Sequence, residues 1–230
     1  MKAFILAAGR GERMRPLTDT TPKPLLPAGG KPLIVWHLER LAASGFHDVV
    51  INHAHLGEQM EAALGDGQRF GLNIRYSPEP PGALETAGGI ARALPWLGSE
   101  PFLVVNGDVW CDWDFKRAHA LGHRHAHLVF VDNPPQHAGG DFCLDGETVR
   151  YASAGIGRTL TYAGTGVFSP DFFAAVPADA VMKMRPLLDA AIARGTVTGE
   201  HHAGQWVDVG TPERLAQLDQ ALCTSLRQRP

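Results

Sequence analysis

Short apolar, β-rich runs alternate with helix-patterned stretches from the first residues onward, and this alternation restricts the fold more than any other feature. Residues 2–7 (KAFILA) read as a buried strand, followed by strands at 48–52 (DVVIN), 73–77 (NIRYS) and 101–106 (PFLVVN). Between the first two, the spacing predicts a helix over 32–44. Ile34, Leu38 and Leu41 fall at i, i+4 and i+7, Pro32 suits the first turn, and Gly45 stops it. Weaker helical patterns cover 57–64 and 86–94. Such a βαβα order predicts an α/β fold: a Rossmann-like, mainly parallel sheet with helices on both faces. Past about residue 135 the rhythm changes. Residues 141–144, 148–151 and 160–168 read as strands with few helices between them, and 183–193 and 212–226 as closing helices. Added antiparallel strands and a substrate-facing wall are expected there. No repeat, low-complexity run or linker divides the 230 residues, which predicts one domain of two functional halves, about 1–110 and 111–230.

Composition narrows the function classes. Lys and Arg number 21 against 24 Asp and Glu, a net charge of −3, which argues against a general nucleic-acid binder. No stretch approaches the roughly 18 consecutive apolar residues of a membrane span. The N-terminal arginines follow the apolar run, the wrong order for a signal peptide. Cys111, Cys143 and Cys223 are odd in number and far apart, which suits a reducing, cytoplasmic setting.

The strongest chemical signal follows the first strand, in LAAGRGERMRPLT at 6–18. Small residues and Gly9 and Gly11 directly after a strand let backbone N–H groups approach a phosphate, and Arg10, Arg13 and Arg15 add guanidinium groups suited to bidentate contacts. A generic tight turn would also carry two glycines. Met14 replaces the third glycine of a dinucleotide fingerprint, and no GK[ST] follows to make a P-loop. Next comes TPKPLLP at 21–27, where two prolines stiffen the backbone around Lys23. The lysine is either a clamp for charge that develops on a polyphosphate or a solvated surface residue.

Asp108, in VVNGDVW at 104–110, comes just after a buried strand, where open α/β sheets place ligands. It is either a Mg²⁺ ligand or a turn aspartate capping its own backbone. Asp208, in QWVDVGTP at 205–212, is a possible second ligand, since Thr211 and Pro212 already supply a helix cap and first turn. His123, His125 and His127 would share one face if extended, as a metal site or, more simply, a polar loop edge entering a strand at 128–131; His201 and His202 are equally ambiguous.

Taken in order, LAAGRGERMRPLT, TPKPLLP, VNGDVW and WVDVGTPERL resemble the sugar-1-phosphate nucleotidylyltransferase family, over nearly the whole chain. The resemblance implies a GT-A-like nucleotidyltransferase core with Mg²⁺ as cofactor. It implies that Gly9, Gly11, Glu12 and Arg13 hold the nucleotide phosphates. Lys23 then contacts the α-phosphate region, and Asp108 and Asp208 bind the metal. Lys23, Arg13 and Asp108 form the implied catalytic set. Glu79 and Thr86 sit where relatives contact the base, and Asn106, Gly140, Asp141 and Thr165 on the sugar side. INHAHLG, FLVVNGDVW, HLVFVDNP and the GEH…WVDVGT ending resemble the family's short cell-wall-recycling branch, which lacks the appendages of longer relatives. That branch implies UTP and N-acetylmuramic acid 1-phosphate as substrates, with no nucleic-acid or membrane partner. The Glu-Lys-Pro of thymidylyl and adenylyl relatives is missing. Candidate cations for the sugar are therefore Arg150, Arg158, Lys183 and Arg185, with the last two favoured. The alternatives are a mannose- or glucose-1-phosphate nucleotidylyltransferase, a non-catalytic nucleotide-sugar binder, and a metal-dependent glycosyltransferase.

Overall fold

The structure, a computed structural model, describes residues 1–227 apart from 123, 153–155 and 178. In chain order it places β1 (Lys2–Leu6), β2 (Pro27–Ala28), β3 (Lys31–Pro32), α1 (Leu33–Ala43), β4 (Asp48–His53), α2 (Gly57–Leu64), β5 (Asn73–Pro78), α3 (Glu85–Leu97), β6 (Phe102–Asn106) and β7 (Val109–Cys111). Then follow β8 (Ala126–Val131), β9 (Phe142–Asp145), β10 (Thr148–Tyr151), β11 (Arg158–Phe168), α4 (Arg185–Ala193), β12 (Val197–His201), β13 (Trp206–Asp208) and α5 (Pro212–Arg227).

The period-2 alternation of strand side chains sorts the core into two layers. Ala3 and Ile5 of β1, Val49 and Ile51 of β4, and Leu103 and Val105 of β6 point to one face, where Ile34 and Leu38 of α1 and Met60 of α2 cover them. Phe4, Val50, Phe102 and Val104 point to the other, against Ile90, Ala93 and Leu97 of α3 and Leu188 and Ile192 of α4. A third cluster joins α5 through Leu215, Leu218 and Leu222 to Met14, Leu26 and Leu33. Helices therefore cover both faces, as the alternation predicts.

The nine-stranded sheet runs β5-β4-β1-β6-β11-β8-β12-β10-β9. β5, β4, β1 and β6 are mutually parallel. β11 enters antiparallel to both β6 and β8, while β12 runs parallel to β8. The sheet is thus mixed, as the change of rhythm past residue 135 predicts: its first half obeys the βαβα rule and is parallel, and its second half adds mostly antiparallel pairs. The chain winds outward from β1 to β4 and β5, then crosses back to β6 on the other side of β1. The carboxyl ends of the four parallel strands therefore open along one edge, with a switch point beside β1, the place where such sheets bind ligands.

Three helix starts differ from the sequence reading, α3 by a single residue, at Glu85. Pro32 stands outside α1 as its cap, with extended backbone (ψ 143°), because it closes the β2–β3 pair opposite Pro27. α4 begins at Arg185 rather than 183, with Pro186 in the first turn, where its missing N–H costs nothing. Gly45 stops α1 as expected. With φ +83° it lets the N–H groups of Gly45 and Phe46 return to the carbonyls of Ala42 and Leu41.

Candidate active site

A cleft of about 450 Å³ opens along the carboxyl edge, lined by the loop after β1, by Asn52, Glu79, Ala83 and Thr86, and by Asn106, Asp108 and Gly210. The loop is folded back on itself. Gly11 adopts φ +70°, its carbonyl accepts from Met14 N–H at 2.8 Å and Thr18 Oγ1 at 2.9 Å, and a Cβ there would press on Thr18 and Lys23. A Cβ on Gly9 would meet nothing within 4 Å. Glu12 and Arg13 form a single helical turn anchored by buried Met14. Arg13 lines the cleft, whereas the Glu12 carboxylate is drawn to Arg10 at 2.7 Å, leaving its backbone as the part suited to a phosphate.

Lys23 is not a solvated surface residue. It is 7% exposed, and its Nζ donates to Asp108 Oδ2 at 2.7 Å. The Asp108 side chain is 40% exposed, so the ammonium is presented to the cleft through a carboxylate at its rim. Asp208 lies beside Asp108. The β7–β13 ribbon sets Asp208 opposite Val109, and Val209 N–H donates to Asp108 O at 2.9 Å. Asp208 Oδ2 accepts from Arg214 Nη1 at 2.7 Å. Each aspartate keeps its Oδ1 without a hydrogen bond among the described residues. Two carboxylates, one from the turn before β7 and one from the end of β13, with phosphate oxygens to complete the shell, fit the demands of Mg²⁺. Arg214 was not anticipated from sequence; its guanidinium and that of Arg13 both crowd Gly210, where a Cβ would meet Nη2 atoms at 2.5 and 3.1 Å.

Asn52 is the other residue that motif reading missed. It stands one residue from the carboxyl end of a parallel strand, on the ligand edge, which is the available signal. Its Oδ1 accepts from Ala7 N–H at 2.6 Å and its Nδ2 donates to Glu79 Oε1 at 2.6 Å, while Glu79 Oε2 accepts from Leu84 N–H at 2.7 Å. Gly89 admits this network, because a Cβ there would lie 2.4 Å from Glu79 Oε1. Glu79 thus faces the cleft with both oxygens engaged, and Thr86 stands nearby at the start of α3.

A second cavity of about 310 Å³ shares Thr86 and Asn106 with the cleft and continues along Asp141, Phe142, Tyr162, Met184 and Arg185. Asn106 fits between the two because Gly164 (φ +73°) leaves room for its amide. Asp141 is fixed by Tyr162 N–H at 2.8 Å. Three expected sugar-side residues lie outside this lining. Thr165 is buried at 1% exposure in the β11–β6 ladder, Gly140 packs against Asn133 and Leu160, and Lys183 is exposed ahead of α4. Of the candidate cations, Arg150 pairs with Asp145 and Arg158 with Asp132, and only Arg185 reaches the cavity.

The histidines separate. His127 is buried, its Nδ1 2.9 Å from Thr198 Oγ1, and His125 packs on Phe172; burial lowers both pKa values. His123 lies outside the described residues, and among those described the expected face of histidines joins no three-ligand group.

Residues 2–142 match the nucleotidyl transferase family. The chain belongs to that family. It is 54% identical over 222 residues to the N-acetylmuramate alpha-1-phosphate uridylyltransferase of Neisseria meningitidis, covering 94% of this chain and 96% of that one. It is 35% identical to the protein of the same name from Caulobacter vibrioides, over 92% of each chain. A putative glucose-1-phosphate thymidylyltransferase from Bacillus anthracis has the same fold, with a TM-score of 0.83 over all of this chain and 96% of that one at 21% identity. This nucleotidyl transferase therefore bears out the family that its motifs resemble, and the mixed α/β core is that of solved sugar-1-phosphate nucleotidyltransferases.

Proposed function

We propose that this nucleotidyl transferase moves UMP from UTP to N-acetylmuramic acid α-1-phosphate, giving UDP-N-acetylmuramic acid and pyrophosphate in cytoplasmic cell-wall recycling. The observation that carries this reading is the likeness over 94% of the chain to the Neisseria meningitidis protein, whose name specifies the sugar phosphate and the uridylyl group transferred. The cleft supports it. A sugar-phosphate oxygen attacks the α-phosphorus of UTP, a new P–O bond forms, and the bond to the bridging oxygen of pyrophosphate breaks in line. The attacking oxygen is already ionised, so the protein's work is alignment and charge neutralisation.

In this reading the loop from Gly9 to Arg13 cradles the triphosphate, with Lys23 and Arg13 offsetting charge on the α-phosphate and pyrophosphate. Asn52, Glu79 and Thr86 form the base side. Asp108 and Asp208 would hold Mg²⁺, which when bound would supply positive charge to offset that of the phosphates. The second cavity takes the sugar, with Asn106 and Asp141 as polar anchors. Arg185 supplies the cation for the lactyl carboxylate. Its Nε donates to Asp189 Oδ1 at 2.7 Å and its guanidinium lies 4.7 Å from the Phe142 ring, so it is aimed along the cavity wall. A carboxylate buried there unpaired would be costly. We read the chain as one domain, because a single sheet carries strands from both halves. No helix among the described residues is long and apolar enough to cross a membrane. Mass spectrometry of the products from UTP and N-acetylmuramic acid 1-phosphate tests the reading. UDP-N-acetylmuramic acid with matching pyrophosphate supports it, and absence of the nucleotide sugar refutes it.

A further inference from the structure

The β7–β13 ribbon carries Asp108 and Asp208 at one end, and three residues of different chemistry gather at the other. Cys111 is the last residue of β7, Asp112 follows it, and His202 precedes β13 by four positions. Cys111 Sγ, a carboxylate oxygen of Asp112 and a ring nitrogen of His202 all lie within 4.8 Å of one another. His202 Nε2 is 2.6 Å from Asp112 Oδ1.

The backbone holds each residue in place. Asp112 N–H donates to Gln205 O at 3.1 Å, His202 N–H donates to Phe130 O at 2.7 Å, and Arg40 donates to the Cys111 carbonyl. Gly204 closes the corner. A Cβ there would fall 2.3 Å from Asp112 Oδ1 and 2.4 Å from His202 Nε2, so any side chain would fill the space in front of the two donor atoms.

We propose that Cys111, Asp112 and His202 bind a borderline-soft divalent cation, Zn²⁺ by preference, apart from the carboxylate pair that faces the cleft. A thiolate, an imidazole and a carboxylate suit Zn²⁺ and are a poor set for Mg²⁺, which prefers oxygen alone. Three protein ligands leave the fourth tetrahedral position to water. Zinc bonds of roughly 2.0–2.3 Å require donor atoms roughly 3.3–3.8 Å apart. The His202–Asp112 pair, at 2.6 Å, therefore opens by roughly 0.7 Å, and the Cys111 thiol, within 4.8 Å of both, moves in by up to about 1 Å, through side-chain torsions while the anchored backbone stays put. Binding releases the Cys111 thiol proton to solvent and takes His202 as the neutral imidazole. The competing description is an imidazole–carboxylate pair that seals the ribbon beside a core cysteine and binds no metal.

Cobalt titration of the chelator-stripped full chain, without nucleotide, separates the two. The site predicts a near-ultraviolet thiolate-to-Co²⁺ band that saturates at one equivalent and is displaced by Zn²⁺. Cys111→Ser abolishes the band, and His202→Ala weakens Co²⁺ binding by more than about tenfold. Asp108→Asn leaves both the band and its affinity unchanged. No band in the wild-type chain overturns the proposal, as does a band that survives Cys111→Ser. Co²⁺ uptake that gives no thiolate band and is lost in Asp108→Asn overturns it too, by placing the ion in the cleft, whose lining has no cysteine.

Discussion

Lys23 Nζ and Asp108 Oδ2 lie 2.7 Å apart across 85 positions of sequence, the lysine buried and the aspartate at the rim of the cleft. The pair exists because β1 and β6 are parallel neighbours, with Leu6 in register with Asn106, so the loops leaving both strands emerge side by side. A buried ammonium stripped of its partner is costly. Changes at Asp108 are therefore best made to Asn, which keeps an acceptor for the lysine and removes only the charge.

Replacing Lys23 by Ala is expected to lower kcat by about 10²–10³-fold while raising KM for UTP much less. That split follows if the ammonium meets charge that grows in the transition state. Steady-state kinetics with varied UTP checks it. A loss confined to KM would mean that the lysine binds the ground state and transition state equally.

Asp108→Asn and Asp208→Asn should each cut turnover at least about 100-fold at ordinary Mg²⁺, with part of the loss recovered as Mg²⁺ is raised. Circular dichroism should show both variants folded. Asp208 is separable from its neighbour, because Arg214→Ala frees its carboxylate without removing it. Near-wild-type activity in either Asn variant takes that residue out of the metal site.

Glu79→Gln tests the Asn52 network. Both carboxylate oxygens accept from fixed donors, Asn52 Nδ2 and Leu84 N–H, and an amide can satisfy only one of them. A loss of about 1–3 kcal/mol in urea unfolding is expected, with a rise in KM for UTP larger than any fall in kcat. Unchanged stability would show that the network bears little of the cleft's shape.

Acid sensitivity should trace in part to His37. Burial, aided by the charge on Arg40, pushes this histidine down to about 4. The unfolded histidine titrates near 6.5, so below that value the unfolded chain binds the extra proton. His37 then costs no stability above pH 6.5 and progressively destabilises the fold as pH falls toward 4, by at most about 3 kcal/mol. Urea unfolding between pH 4 and 7 should show a shallower pH slope in His37→Leu than in the wild type. An identical slope in the variant would place the acid sensitivity elsewhere.

Legibility in the sequence followed hydrophobic content. β1, β4 and β6 are readable because apolar runs mark them, and β5 because Ile74 and Tyr76 alternate with polar residues. β12 (VTGEH) and the three-residue strands β7 and β13 carry too little apolar pattern to be seen. That hid the ribbon which brings Asp108 beside Asp208, although both aspartates stand out by motif. Lys23 is visible as a motif but not as a buried residue, since its burial depends on a loop packing across 85 positions. Lys183 and Arg185 look equivalent in sequence. The start of α4 separates them, placing Arg185 along the second cavity and Lys183 outside it.

The central claim is tested most directly by kcat/KM with UTP for N-acetylmuramic acid 1-phosphate against N-acetylglucosamine 1-phosphate, in the wild type and in Arg185→Ala. The wild type is expected to prefer the muramic substrate strongly. Arg185→Ala should lower that preference by about tenfold or more, since losing one charge-assisted contact is worth about 1.5–3 kcal/mol. A wild-type preference for N-acetylglucosamine 1-phosphate, or pyrophosphate release driven better by another sugar phosphate or nucleoside triphosphate, would contradict it.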